Sequence, residues 1–383
     1  MTKQTYILAF LIFILSTGGY TAMPLFPLLT NIHNITLTQA STLTATYIFT
    51  QKITPVLLGP LGDYYGYKRI SILGELIRGF GFIGVGCVSN YISLLIFSSL
   101  AGLGGGFSGP SLQSLLMKSS KHTDRAKVSS IRASATNAGL LLGPIIAGIV
   151  ILNGNYNFIF ISAGSVYLFG AFLLIAFVVN PKKVYNSNRL SLQHFKEAFY
   201  NKGFLQLMIF MLMFYILFAQ LFVTMPEYAK TYTDQIQLLF LINGITGLAL
   251  QYFVGLLISK YAKPKLFINV GVSLIILAFV ILTLWHTFTM LLVSIILFTI
   301  GEIFLLPIME MSIANFSDKS GNMGLYFGIS KLSDGIGRSF GSIMGGWLLY
   351  SFQPALVWLT FTILSILILL YFQIIFSKVF QYK

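Results

Sequence analysis

Charge is what this 383-residue chain has least of: Asp, Glu, Lys and Arg together make up 9% of it. Soluble domains carry roughly 25%, so a water-soluble enzyme of this length is excluded, and the mean hydropathy of +0.84 agrees. Acid is scarcer still, with 10 Asp+Glu against 24 Lys+Arg. The single cysteine, Cys87, excludes an intrachain disulfide. Four histidines, His33, His122, His194 and His286, are scattered without metal-ligand spacing, which speaks against a zinc centre and a Cys/His catalytic pair. The phosphate-binding pattern Gly-x4-Gly-Lys-Ser/Thr does not occur, so ATP hydrolysis is not expected. Neither a metal nor a cofactor is expected.

What is plentiful is apolar: 56% of residues are hydrophobic. A helix crosses the hydrocarbon core in about 20 apolar residues. Apolar stretches between polar breaks predict twelve spans, at 5–30, 37–59, 70–89, 91–117, 129–152, 157–180, 203–225, 236–258, 266–286, 288–314, 322–350 and 354–378. Continuous runs of this length do not suit a membrane β-barrel, whose strands alternate over about ten residues. The first run contains Pro24 and Pro27 and is followed by eleven more, so it reads as a retained span and not a signal peptide. The shortest breaks are Ser89-Asn90 and His286-Thr287.

Lys and Arg in the connections set the orientation. The termini and the even-numbered connections hold eighteen of them, and the odd-numbered connections hold only Lys230. Both termini are therefore expected in the cytoplasm, the excess positive charge facing anionic inner-leaflet lipid and not nucleic acid. The longest polar stretch, 181–202, divides the chain into a bundle over 1–180 and a second over 203–383, and Ser191–Tyr200 within it has the pattern of a short amphipathic surface helix.

The two halves align with each other. Gly104, Phe107, Pro110 and Gln113 meet Gly301, Phe304, Pro307 and Glu310 at an offset of 197. Gly139, Gly143 and Gly148 meet Gly337, Gly341 and Gly346 at an offset of 198. Met23-Pro24 meets Met225-Pro226. Parallel repeats of this kind suggest a transporter with its substrate site between the halves near the midplane.

Four motifs sharpen this. The loop GPLGDYYGYKRI after the second span carries Gly59, Asp63, Gly66, Lys68 and Arg69; the glycines permit a tight turn with close helix approach, and Asp63 can accept hydrogen bonds from a helix N-terminus. GLLLGPIIAG in the fifth span carries Gly139, Gly143, Pro144 and Gly148, small residues for close packing with a bend at Pro144. The first span has GGYTAMPLFPLL, and the tenth has Gly301-Glu302 followed by Pro307. With these motifs the chain resembles the major facilitator superfamily over essentially its whole length, and within it the twelve-span drug:proton antiporters. The resemblance implies an all-α membrane protein of twelve transmembrane helices in two pseudo-symmetric six-helix bundles. It implies that Asp63 latches the halves in the outward-facing state, and that the fifth-span motif marks export. There are departures. Tyr64 and Tyr67 stand where the loop usually has basic residues, the second loop copy GLLISKYAKPK has Ser259 in place of the aspartate, and Ser98 occupies the position of the arginine associated with proton coupling.

Nine charges fall within spans: Lys52, Glu75, Arg78, Arg132, Glu302, Glu310, Lys331, Asp334 and Arg338. Each costs roughly 2.5–3.5 kcal/mol at a helix centre, so each is a functional candidate, with Lys52 and Arg132 near enough to span ends to snorkel. Glu75 and Arg78, three apart on one face, can pair as a structural unit. Lys331, Asp334 and Arg338 share a face of the eleventh span, with a net charge that Glu302 or Glu310 on the tenth could balance. A carboxyl in a low-dielectric cavity can exchange protons near cytoplasmic pH. Glu302, Glu310 and Asp334 are accordingly the proton-coupling candidates, with Glu75, Arg78, Lys331 and Arg338 as a charge network; a static ion-pair network is the competing reading. By the family analogy Tyr20, Phe26, Phe107, Phe214 and Phe218, with Gln113, Gln220 and Gln251, face the cavity and could contact an apolar or cationic guest.

The expected function is proton-coupled efflux of small amphipathic molecules, of multidrug type, by a monomer in a bacterial plasma membrane. Lys outnumbers Arg 18 to 6, as in AT-rich bacterial genomes. The alternatives are dedicated export of a metallophore, siderophore or related metabolite, and, from another class, a non-transporting membrane sensor.

Overall fold

The computed structural model describes residues 2–22, 26, 29, 35–152, 156–179, 192–233, 237–318 and 320–379. Helix dominates because apolar segments must satisfy their backbone N–H and C=O groups internally. In chain order the helices are α1 (Lys3–Ala22), α2 (Leu37–Tyr65), α3 (Tyr67–Cys87), α4 (Tyr91–Lys118), α5 (Arg125–Leu152), α6 (Tyr156–Phe177), α7 (Leu192–Tyr200), α8 (Lys202–Phe218), α9 (Thr224–Ala229), α10 (Gln237–Tyr261), α11 (Pro264–Leu284), α12 (Phe288–Asp318), α13 (Met323–Ser351) and α14 (Pro354–Val379).

Local chemistry sets the boundaries. Thr36 and Gln39 form a reciprocal capping box at the start of α2. Both short breaks are present, and each is held by a side chain on the first turn of the next helix: Asn90 accepts from Ile92 N–H at 2.9 Å, and Thr287 accepts from Met290 N–H at 3.4 Å. Asn201 does the same for Phe204 at 3.1 Å, starting α8 straight after the amphipathic α7. The expected span 203–225 is not one continuous helix. It becomes a 3₁₀ turn at Ala219–Leu221 and resumes as α9, because Pro226 has no N–H and its ring would clash with the carbonyl four residues back. The counterpart prolines Pro24 and Pro27 lie outside the described residues, as do Lys182, Lys183 and Arg189 of the polar stretch.

Among the described residues, ten segments are long and apolar enough to cross a membrane. The other two long helices, α2 and α13, are more polar: α2 is rich in threonine, and α13 carries Lys331, Asp334 and Arg338.

The chain forms two compact units. The first contains Met1–His122, Ala135–Ser191 and Ser317–Lys331; the second contains Thr123–Ser134, Leu192–Phe316 and Leu332–Lys383. Each thus includes the first turns of one helix from the opposite half of the sequence, α13 in the first unit and α5 in the second. The internal repeat reappears as matching contacts. In the first unit a Cβ on Gly104 would lie 2.5 Å from Gly74 O; in the second, one on Gly301 would lie 2.6 Å from Gly271 O. Gly139 and Gly143 press on Ser16 and Tyr20 of α1, as Gly337 and Gly341 press on Leu212 and Ile216 of α8. Gly148 and Gly346 have open space in both.

Candidate functional site

Four clusters of polar groups stand inside the apolar packing. The first lies in the first unit, where α2 runs past the start of α13. The backbones touch: a Cβ on Gly59 would collide with Gly324 O, and one on Gly328 with Pro55 O. That approach carries Asp63 onto the open amides of α13, its carboxylate accepting from Gly324 N–H and Leu325 N–H at 2.8 Å each. An acid from one helix thereby caps the positive end of another. The Tyr67 hydroxyl donates to the same carboxylate, and Lys118 lies 4.8 Å from the Tyr67 ring centroid. Tyrosine in place of a basic residue thus keeps the aspartate held. Gly66 has φ +97°, a backbone that only glycine takes without strain, and it makes the break between α2 and α3. Lys68 donates to Ile175 O at 3.0 Å, while Arg69 is exposed.

Asp63 lies beyond the apolar run of α2. Burial pushes its carboxyl up from 3.8 to about 6, against the lowering by Tyr67, the two amides and Lys118. The clasped form therefore holds a proton that a released, solvated carboxylate would surrender. Asp63's protonation favours the clasp below about pH 4, and that contribution is lost as pH rises through about 6. Hydrogen exchange at the Gly324 and Leu325 amides, corrected for intrinsic rates, should show protection declining across this window. Asp63→Asn should flatten the profile. Asp63→Ala should lower protection at every pH by about 1–2 kcal/mol, and a flat wild-type profile would reject the linkage.

A second clasp, in the second unit, repeats the first in weaker form. Gly255 of α10 presses on Ser130 of α5, and Ser259 accepts from Lys127 N–H at 3.2 Å. Ser259 stands where the aspartate would be and does its job with one neutral bond. Beside it, Glu310 of α12 accepts from both edges of Arg132, Nε at 3.2 Å and Nη2, and from the Ser129 hydroxyl. Arg125 donates to Asn315 at 2.7 Å. Arg132 does not snorkel to a span end; Glu310 holds it. Sequence reading named Ser259 as the substituted aspartate position and Arg132 as a charge near a span end, but gave neither a partner, and it missed Ser129.

The third cluster is the α12–α13 charge set. Asp334 accepts Arg338 Nε, and the guanidinium lies 4.1 Å from the Phe218 ring centroid and 5.2 Å from that of Tyr215. Arg338 is thus paired with its own helix neighbour and also attracts Glu302 electrostatically, and Glu310 is engaged by α5. Glu302, in the middle of α12, is left with a buried Oε2 that has no hydrogen-bond partner among the described residues. Lys331 lies one turn before Asp334 and is half-buried.

The fourth cluster contains Glu75 and Arg78. The expected direct pair is not formed among the described residues. Arg78 donates to the Tyr47 hydroxyl at 3.0 Å and lies 4.3 Å from the Tyr167 ring centroid. Ser98, at the place of the family arginine, is fully buried with an unpartnered hydroxyl.

The aromatic and amide candidates divide. Phe26 is completely buried, stacked on Tyr47 at 5.3 Å and edge-on to Phe160, so no face is open to a guest. Gln220 is saturated by Ile216 O, Gly341 O and the Thr224 hydroxyl. Phe214 and Phe218 form a ring pair at 5.8 Å beside Arg338. Gln251 is buried with an unpartnered Nε2, Gln113 is buried, and Tyr20 and Phe107 are half-buried. Gly139, Gly143 and Gly148 were placed above, and Pro144 is within α5.

A duplicated helical unit with glycine-seamed crossings, capped helix starts and acids buried in its apolar interior defines a membrane transport fold. The Major Facilitator Superfamily family model matches residues 8–233 and 221–379, and the chain belongs to this family of transporters. Among curated proteins it is similar to Multidrug resistance protein MdtH of Blochmanniella pennsylvanica, 26% identical over 303 residues, covering 78% of this chain and 74% of that protein. MdtH of Escherichia coli (strain K12 / DH10B) is 24% identical over 332 residues, covering 83% and 80%. Among solved structures, FucP in the outward conformation superposes with a TM-score of 0.80 at 13% identity, covering 98% of this chain and 99% of that one. The human organic anion transporter MFSD10 (TETRAN) gives 0.78 at 13%, covering 96% and 98%. At such identity these structures speak to the fold alone.

Proposed function

We propose that this chain is a proton-coupled exporter of small amphipathic molecules, working as a monomer by alternating access in a bacterial plasma membrane. Twelve spans place both termini in the cytoplasm, in bundles over 1–180 and 203–383 joined by the linker 181–202. Glu302 is the proton carrier. The observation that carries this reading is that, among the described residues, Glu302 alone of the three acids on α12 and α13 within the apolar interior has a buried oxygen without a hydrogen-bond partner. A carboxylate left so is costly, and taking up a proton or a cationic guest removes the cost. Phe218 lies against Arg338 and stacks with Phe214, both rings buried in the apolar packing of the second unit. The clasps of Asp63 on α13 and of Ser259, Ser129 and Arg132 around α5 hold the cytoplasmic side closed in one state of the cycle. The MdtH relatives and the small-residue motif of α5 support export.

Everted vesicles carrying the protein, energised with an inward-acid pH gradient, should accumulate a lipophilic cationic dye such as ethidium. Collapse of the gradient should release it. Accumulation that ignores the gradient would reject proton coupling. No accumulation of any dye in a broad panel would favour the sensor reading.

One observation favours export of an anionic metabolite instead. Among the described residues only Nε of Arg338 is engaged by a protein acceptor, and its partly exposed guanidinium carries two further nitrogens. These could bind a carboxylate bidentately. A lipophilic carboxylate probe transported in preference to ethidium, with loss in Arg338→Gln, would select this reading.

A further inference from the structure

The first unit contains a second buried acid, which the reading above does not use. Glu75 is 1% exposed and its Oε2 has no hydrogen-bond partner among the described residues. Arg78 is one turn along the same face, within reach of an ion pair, yet it is turned away. Its Nη2 donates to the Tyr47 hydroxyl at 3.0 Å, and its guanidinium covers the Tyr167 ring at 4.3 Å. Its Nε has no hydrogen-bond partner among the described residues, nor has the Tyr167 hydroxyl.

Attraction between opposite charges is strong where the local dielectric is low. An ionised Glu75 would draw Arg78 onto itself, so an arginine held by two tyrosines, beside a carboxyl that has the Ser108 hydroxyl on it and an Oε2 without a hydrogen-bond partner among the described residues, is the arrangement that suits the protonated acid. In that arrangement the arginine's direct contacts among the described residues are a hydroxyl dipole and a π face. Loss of the proton would leave a neutral Glu75–Arg78 ion pair. Each protonation state thus has its own set of Arg78 partners, and three residues of helix spacing put both sets within reach.

The surroundings suit such a switch. Arg78 is the cation facing Glu75 from its own helix. Ser108 faces it from α4, Tyr47 from α2 and Tyr167 from α6, with Tyr20 of α1 near Tyr167. Gln51, half-buried on α2, donates to the Tyr47 hydroxyl at 3.1 Å and extends a hydrogen-bonded chain from Arg78 toward the less buried face of the helix.

We infer that Glu75 is a second proton-exchange site, occupied when Arg78 rests on Tyr47 and Tyr167 and emptied when Arg78 turns back to the carboxylate. The step makes and breaks one O–H bond at a Glu75 carboxyl oxygen, with water as donor and acceptor, and Arg78 stays protonated throughout. The chain would then have one proton site in each unit.

Infrared difference spectroscopy on the purified full-length protein in lipid, stepped in pH without any substrate, tests this. A protonated buried carboxyl contributes a C=O stretch that titrates. One such band should vanish in Glu75→Gln and persist in Glu302→Gln. Tyrosine ring modes should change together with it, because Arg78 leaves Tyr47, and those modes should be lost in Tyr47→Phe. If Glu75→Gln folds poorly, wild type against Tyr47→Phe still decides through the tyrosine modes. Absence of any titrating carboxyl band that depends on Glu75, or of tyrosine modes that depend on Tyr47, overturns the proposal and leaves a static polar cluster. Loss of transport in Glu302→Gln with the Glu75 band intact would bear on the Glu302 reading separately.

Discussion

Glu302→Gln should abolish gradient-driven accumulation of substrate while leaving substrate exchange without a gradient. Glutamine keeps the volume and hydrogen-bonding length of the protonated acid and cannot carry a proton. The three acids on α12 and α13 within the apolar interior start from different positions. Glu310 has two edges of Arg132 and the Ser129 hydroxyl. Asp334 has Arg338. Glu302 has a buried oxygen without a hydrogen-bond partner among the described residues, and only the electrostatic attraction of Arg338 offsets its charge there. An uncompensated carboxylate costs several kcal/mol even after relaxation, and each 1.4 kcal/mol is a tenfold population change. The proton on Glu302 is thus worth on the order of 100-fold in the balance between occupied and empty states, which is the size of effect that coupling requires. Uptake into everted vesicles under a pH gradient should drop to the level of empty vesicles. Exchange of labelled for unlabelled ethidium at equal pH should continue, because that reaction moves no net proton. Gradient-driven uptake that survives in Glu302→Gln would remove Glu302 as carrier. Loss of both activities would point to a binding or folding defect and equally remove the proposed role.

The membrane spans were legible because hydrocarbon thickness leaves little choice: an apolar run of about 20 residues has to be a helix. The loop motif was legible because Gly59 and Gly66 are forced by geometry, one by a backbone contact and the other by positive φ. The interruption between α8 and α9 could have been read from Pro226 but was hidden by the apolarity of its neighbours. Ion pairing was the least legible feature. The spacing of Glu75 and Arg78 predicts a pair, yet a long guanidinium also reaches Tyr47, 31 residues away in sequence. Arg132 and Glu310 are 178 apart, and only folding brings α5 onto α12. Spacing along one helix shows which partners are within reach, whereas the choice among them depends on burial and protonation.

Arg132→Gln and Glu310→Gln should each destabilise the start of α5 far more than the two changes together. The pair is mostly buried, with side-chain exposures of 24% and 10%. Removing one partner leaves the other charge in the apolar interior, at about 3–5 kcal/mol for a fully buried pair; the residual exposure of Arg132 brings this towards about 2–3 kcal/mol. Removing both charges leaves two amides of similar size that can still hydrogen-bond to each other and to Ser129, so most of that penalty disappears. Hydrogen exchange over the amides of 125–134 measures the effect directly. Each single variant should lose about 30- to 100-fold of protection, and the double variant should lose no more than about half as much free energy as either single, a coupling of about 3–4 kcal/mol in the cycle. Transport should follow the same order, since α5 starts on this clasp. A double variant whose loss equals the sum of the two single losses would mean that Glu310 and Arg132 contribute independently, and the clasp would then rest on Ser259 and the Gly255 crossing instead.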